Sequence, residues 1–187
     1  ALPFAFLQVR YRGWFNQVVA RSAYLGYALP GVVIGLALVF FGARYLLEID
    51  FLGLENYRII PLLIFAYTVR FLPEALGPAR AGLMQVNPHT EESGLTLGRT
   101  RPYIFATITL PLMRSGLIAG MALVFLTVMK ELPATLMLAP VDYDTLATRI
   151  WSATGEAFYA RAAAPALALV LISAFSLVFI LENDEKA

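Results

Sequence analysis

The sequence predicts an all-α, polytopic membrane protein: a helical bundle with about four complete spans plus the end of a preceding one. Two observations carry that prediction. Of 187 residues, 59% are hydrophobic and 14% are charged, against about 45–50% and about 25% in a soluble domain. The excess is also blocked, because residues 162–181 and 23–43 contain no charged side chain. At about 1.5 Å of rise per residue, roughly twenty helical residues cross a hydrocarbon core of about 30 Å. Only helices and closed barrels satisfy their backbone groups in lipid, and these blocks lack the period-two alternation of barrel strands.

Residues 1–9 are apolar, with no charged n-region or cleavage site before them, so they read as the end of an earlier spanning helix and not as a signal peptide. The chain is accordingly expected to be one transmembrane domain, 1–187, that is a fragment or second half of a longer protein. The predicted spans are 27–47, 58–72, 112–129 and 162–181. Arg70 interrupts the second, flanked by Pro61 and Pro73. Its long side chain either snorkels to the interface or serves a gate or an anionic ligand. Gly31 with Gly35 and Gly116 with Gly120 have the small-x-x-x-small spacing that lets membrane helices approach closely.

Lysine and arginine bias sets the orientation. If the segment before residue 27 is cytoplasmic, that side holds Arg10, Arg12, Arg21, Arg70, Arg80, Arg99, Arg101, Arg114 and Lys186. The other side holds Arg44, Arg58, Lys130, Arg149 and Arg161. The nine-to-five split supports this assignment, which also places the acidic tail (Glu182, Asp184, Glu185) in the cytoplasm. Two connections are long enough to carry structure of their own: 74–111 on the cytoplasmic side and 130–161 outside. The 48–57 link is short and acidic, with Glu48, Asp50 and Glu55.

Within the first of these connections, Asn87 or Thr90 can cap a helix whose first turn carries Glu91 and Glu92, where negative charge suits the helix dipole. Leu95 and Leu97 offer apolar contacts, Gly98 can take the left-handed conformation that ends a helix, and Pro102 suits the first turn of a second one. The local prediction is a short helix, a glycine stop and a re-entry helix.

This segment resembles the loop of importer-type ABC permeases: Glu-Ala-Ala, three residues, Gly, nine residues, then Ile-x-Leu-Pro. Here Glu92 is followed by Ser93 and Gly94, then by Gly98 at the same spacing, and then by Ile108, Leu110 and Pro111. The departure is Ser93-Gly94 for the two alanines, which keeps side chains small and weakens the helix by roughly 1 kcal/mol. The runs 129–136, 144–151 and 159–167, with 28–33, are similar to the ferric iron permeases of this superfamily. The resemblance covers most of residues 27–181 and implies the importer-type ABC permease fold. It also implies a multi-pass place in the bacterial inner membrane and a C-terminal half of a longer permease. Residues 74–111 would then be the coupling loop, with Glu91, Glu92, Ser93, Gly94, Leu95, Gly98, Ile108, Leu110 and Pro111 as its site residues. The implied partners are ABC ATPase subunits, a periplasmic or lipid-anchored substrate-binding protein, the other permease half and the lipid bilayer. Permeases for thiamine, sulfate, polyamines and phosphonates share much of this scaffold, so the cargo stays open among these and ferric iron. The rival from another class is a membrane scaffold that moves nothing.

Other chemistries find no support. The chain has no Gly-x-x-x-x-Gly-Lys-Ser/Thr phosphate loop, so ATP should be hydrolysed by a partner subunit and no cofactor should be bound by this chain. A net charge of +1 gives no pull toward nucleic acid, and zero cysteines exclude disulfides and thiolate metal sites. His89 is the sole histidine, so a catalytic triad or multi-histidine site is not formed. Ferric ion favours oxygen ligands, and Glu131, Glu156 and Tyr159, beside Lys130, are the candidate residues for a substrate path or a binding-protein contact. The plainer reading of Glu131 is a partner for Lys130 or for nearby backbone.

Overall fold

The computed structural model describes residues 1–11, 13–46, 60–140 and 142–184. The expected 48–57 link, the start of the 58–72 span and the last residue of the 27–47 span lie outside the described residues, as do Arg12, Arg58, Glu185 and Lys186. All described regular elements are helical: α1 (Leu2–Arg10), α2 (Trp14–Ser22), α3 (Leu25–Ala28), α4 (Gly31–Phe41), α5 (Ile60–Gln85), α6 (Pro88–Thr96), α7 (Arg101–Ile104), α8 (Leu110–Leu112), α9 (Arg114–Met129), α10 (Pro133–Leu138), α11 (Leu146–Gly155) and α12 (Tyr159–Asp184). Wider π-turns continue α4 over Gly42–Leu46 and join α7 to α8 over Phe105–Thr109.

Two helices are long and apolar enough to cross a membrane, Ile60–Gln85 and Tyr159–Val178. Four result if two broken pairs each count as one span: Trp14–Ala28 with Gly31–Tyr45, and Arg101–Leu112 with Arg114–Met129. The 27–47 block is therefore not a single uninterrupted helix, whereas the 112–129 block is the unbroken α9 with its start set two residues early. Pro30 has an extended ψ of 138° and lacks an N–H, so the chain restarts its helix at Gly31. Met113 leaves the helical region with ψ 8°, and a 72° bend separates the helices on either side. The 58–72 span errs in the other direction, because α5 runs straight through Pro73 and Pro78 to Gln85. Proline is tolerated there because neighbouring membrane helices cover the backbone groups it frees.

The chain divides into two compact units. In one (Ala1–Tyr24, Leu72–Val124 and Leu177–Ala187), Leu76, Ala79 and Leu83 form a buried stripe on α5 at helical spacing, continued by the buried Val86 just past its end. Ala5 and Ala23 pack against its upper part, and Met113 with Leu2, Phe6 and Val9 packs against its lower part. The approach of α9 to α5 is close enough that a Cβ on Gly116 would collide with the Pro78 carbonyl. Gly120 sits against Ala75 in the same seam. This is the small-residue packing predicted for Gly116 and Gly120.

In the other unit (Leu25–Phe71 and Phe125–Ser176), Ile34, Leu62, Leu63, Ala66 and Leu138 form the core. Large apolar side chains such as Leu167, Leu171 and Phe175 stay exposed on α12, as expected of a surface whose solvent is hydrocarbon.

Two substitutions on these helices should act in opposite directions. Gly116→Leu forces α9 away from α5 and should destabilise by about 1–3 kcal/mol, the usual cost of overpacking. At Gly77 an added Cβ meets nothing within 4 Å, so Gly77→Ala should stabilise by about 0.8–1 kcal/mol through helix propensity. Thermal unfolding of the detergent-solubilised full-length protein measures both, and a neutral Gly116→Leu would contradict the packing described.

Candidate functional site

The segment predicted to couple to a partner folds as local chemistry dictates. Of the two candidate caps, Asn87 is the one used: its side chain accepts the His89 N–H at 3.0 Å, and Pro88 follows at the first helical position. The helix ends in a Schellman motif. Gly98 adopts φ +76°, its N–H bonds the Leu95 carbonyl at 2.9 Å, and the Arg99 N–H bonds the Gly94 carbonyl at 3.2 Å. Thr100 then precedes α7, with Pro102 in its first turn.

The two adjacent glutamates divide sharply. Glu91 turns inward: it accepts from Thr109 Oγ1 at 2.6 Å and pairs with Arg10 Nε at 3.1 Å. Arg10 is itself tied down by a bond from Nη2 to the Val86 carbonyl at 3.1 Å. Glu92 is 66% exposed and, among the described residues, meets the exposed His89 at 3.0 Å. Gly94 is buried, and a Cβ there would lie 2.9 Å from Ile104 Cγ1, with Ile108 close behind. The departure from Ala-Ala is therefore matched to the isoleucines packed against it. Ser93 bonds back to the His89 carbonyl. Leu95 is part-exposed and Leu97 is 81% exposed. Leu110 is half-buried and Pro111 is exposed. Beneath α6 lies a cleft of about 400 Å³ whose walls include Phe6, Val9, Tyr11, Glu91, Arg101 and Phe105. Arg10 and Thr109 are the partners of Glu91 that the sequence does not announce. Arg10 entered only the charge count, and no local pattern joins it to Glu91.

The second unit contains a separate polar cluster. Glu131 is 6% exposed. Its Oε1 accepts from Arg70 Nη1 at 3.2 Å and from the Ala134 N–H at 3.1 Å. Thr135 Oγ1 bonds the Glu131 carbonyl at 2.9 Å and meets the Tyr67 hydroxyl at 2.5 Å. The Arg70 guanidinium lies directly against Gly31, where any side chain would overlap it. Gly31 therefore does more than let helices approach: it makes room for a charge. Arg70 does not snorkel away, and Glu131 pairs with it and not with Lys130. Lys130, Glu156 and Tyr159 are exposed. Among the described residues no three His, Cys, Asp or Glu side chains converge as a metal site would require.

Comparison with known proteins agrees with this helical framework. Residues 1–182 match the family model described as binding-protein-dependent transport system inner membrane component. The chain is 42% identical over 183 residues to the Fe(3+)-transport system permease protein FbpB 2 of Haemophilus influenzae, covering 98% of this chain and 35% of that protein. It is 31% identical to the molybdenum transport system permease protein ModB of Escherichia coli, over 91% of this chain and 79% of the relative. The sulfate transport system permease protein CysT of Salmonella typhimurium is 28% identical over 92% of this chain and 64% of its own length. The chain thus spans about a third of the Haemophilus protein. With a model match over nearly its whole length and several apolar helices able to span a bilayer, the chain belongs to the inner membrane components of binding-protein-dependent transport systems.

Proposed function

We propose that this chain forms part of the transmembrane pathway of an ATP-driven importer for ferric iron and couples to a separate ATPase through α6. The observation that carries the coupling reading is the two-sided construction of that helix. Its inner face is fixed by Glu91 and Gly94, while Glu92, Thr96 and Leu97 stand exposed on the outside. A push on α6 reaches Ile104 and Ile108 directly through Gly94, and α1 through the Glu91–Arg10 pair. Closure of an ATPase dimer would shift such a helix as a rigid body and rock the bundle between inward- and outward-facing states. On this reading α6, the N-terminal segment and the C-terminal tail are cytoplasmic. A periplasmic or lipid-anchored binding protein delivers cargo outside, with Lys130, Glu156 and Tyr159 as candidate contacts. The other permease half completes the pathway. Ferric iron is the cargo favoured by the 42% identity to a Fe(3+)-transport permease. The molybdenum and sulfate relatives are less similar, and competition in uptake separates these cargoes.

Glu131 is read as part of the pathway's internal framework, because its oxygen is already committed to Arg70 and to backbone. A charge left unpaired in such surroundings costs about 3–5 kcal/mol.

Three outcomes test this assignment in the full-length protein. Glu92→Arg, on an exposed position, should leave assembly intact and lower labelled ferric iron uptake at least tenfold; parental uptake by an assembled complex rejects the coupling role. A thermal-unfolding double-mutant cycle of Arg10→Met and Glu91→Gln should give a coupling energy of about 1–3 kcal/mol; additive effects would mean the pair does not anchor α6. Arg70→Met and Glu131→Met should each destabilise more than the two together. A double variant worse than either single one removes the buried pair from the account.

A further inference from the structure

A cleft of about 550 Å³ opens between α11 and the start of α12, within one compact unit. Its rim holds two guanidinium groups, Arg149 and Arg161, and its floor is the apolar face made by Ala164, Pro165 and Ala168. Each arginine is positioned yet keeps donors to offer. Arg149 uses Nε toward Asp144 Oδ2 at 3.3 Å, which leaves its two terminal nitrogens. Arg161 is steadied over the Phe158 ring at 4.8 Å, and among the described residues it makes no ion pair. Arginine presents a planar fork of donors that matches phosphate geometry. The Asp144 carboxylate is 55% exposed, and an exposed pair of this kind holds its arginine only weakly.

The setting selects the kind of anion. Arg161 lies in the first turn of α12, whose span begins at Tyr159, so the charges sit at one end of a membrane-crossing helix. The first turn of α12 has no acidic residue, and a cation at a helix N-terminus is unfavourable unless an anion joins it. From Arg161 to Ala168 the floor descends about 10 Å along the helix, toward the hydrocarbon and away from the aqueous phase. Trp151 and Tyr159 are 57% and 69% exposed nearby, as suits side chains that anchor at the headgroup level.

We propose that this cleft is a binding site for an anionic phospholipid, with Arg149 and Arg161 holding the phosphate and Ala164, Pro165 and Ala168 bedding an acyl chain. An acidic protein partner fits less well, because it can meet the arginines but cannot follow the small-residue floor down the span. The site depends on the membrane placement of α12 and not on the cargo or on coupling through α6, so its failure would leave the importer reading intact.

The test uses the full-length permease in detergent and follows its thermal unfolding as dioctanoyl phosphatidylglycerol is titrated. Dioctanoyl phosphatidylcholine and inorganic phosphate serve as separate probes. Phosphatidylglycerol should raise the unfolding temperature at low concentrations where the other two do not. The double variant Arg149→Gln with Arg161→Gln should need at least tenfold more of it for the same shift. Ala168→Leu, which fills the floor and spares both charges, should also weaken phosphatidylglycerol, and this arm stands if the arginine variant folds poorly. Unchanged phosphatidylglycerol affinity in both variants overturns the proposal. So does an equal response to phosphate alone, which would mark a simple anion site. Loss of binding-protein association in the arginine variant, with lipid response intact, would overturn it in favour of an acidic protein surface.

Discussion

In hydrocarbon, a backbone carbonyl that loses its helical partner has no water to turn to. The rest of this structure follows from how the chain meets that constraint at its prolines and helix breaks. In α5, Pro73 cannot bond back to the Val69 carbonyl, and Gly26 lies so close to that carbonyl that no side chain would fit between. Gly116 lies as close to the carbonyl of Pro78, and that sets the separation of α9 from α5. Gly26 thus brings protein backbone to the carbonyl that Pro73 leaves without a helical donor. α5 can then continue through Pro73 with protein, not lipid, beside the freed carbonyl.

The same constraint governs the charges. Glu131 enters an apolar unit only because Arg70, the Ala134 N–H and the space at Gly31 receive it together. Removing any one of them strands a group that the surroundings cannot solvate. Such an arrangement is weak evidence of net stability, since apolar residues of similar size often do as well. Its value lies in geometry: it ties α10 to α5 and to the start of α4 in one register, where apolar contacts alone permit sliding.

Much of this was legible in the sequence where the cause is local. The Asn87 cap, the Gly98 stop and the Pro102 restart are each decided within a few residues, and the structure follows them. Composition alone identified a membrane bundle. Span limits were less legible because proline carries different meanings in water and in lipid. Pro73 reads as an end but is an interior position of α5, whereas Pro30 does break its block. The break at Met113 has no signature of its own, since the buried methionine is set by packing against Leu83 and Val86. The two ion pairs were invisible for a related reason. Arg70 and Glu131 are 61 residues apart, and Arg10 lies far from Glu91. Only the tertiary fold selects such partners from among fourteen basic residues.

Adjacent glutamates on α6 show how one short helix serves two masters. Consecutive residues on a helix point about 100° apart, so Glu91 and Glu92 cannot face the same way. The first is spent on the protein's own framework, held by Arg10 and Thr109, and the second is left in solvent beside His89. A helix of nine residues has little stability by itself, so it can pass on a displacement only if its inner face is pinned at defined points. Asn87 and Gly98 pin its ends, and Glu91 and Gly94 pin its middle. The acidic pair is therefore not a doubled site. One carboxylate sets how α6 sits, and the other stays in solvent, where the proposed coupling to an ATPase would use it.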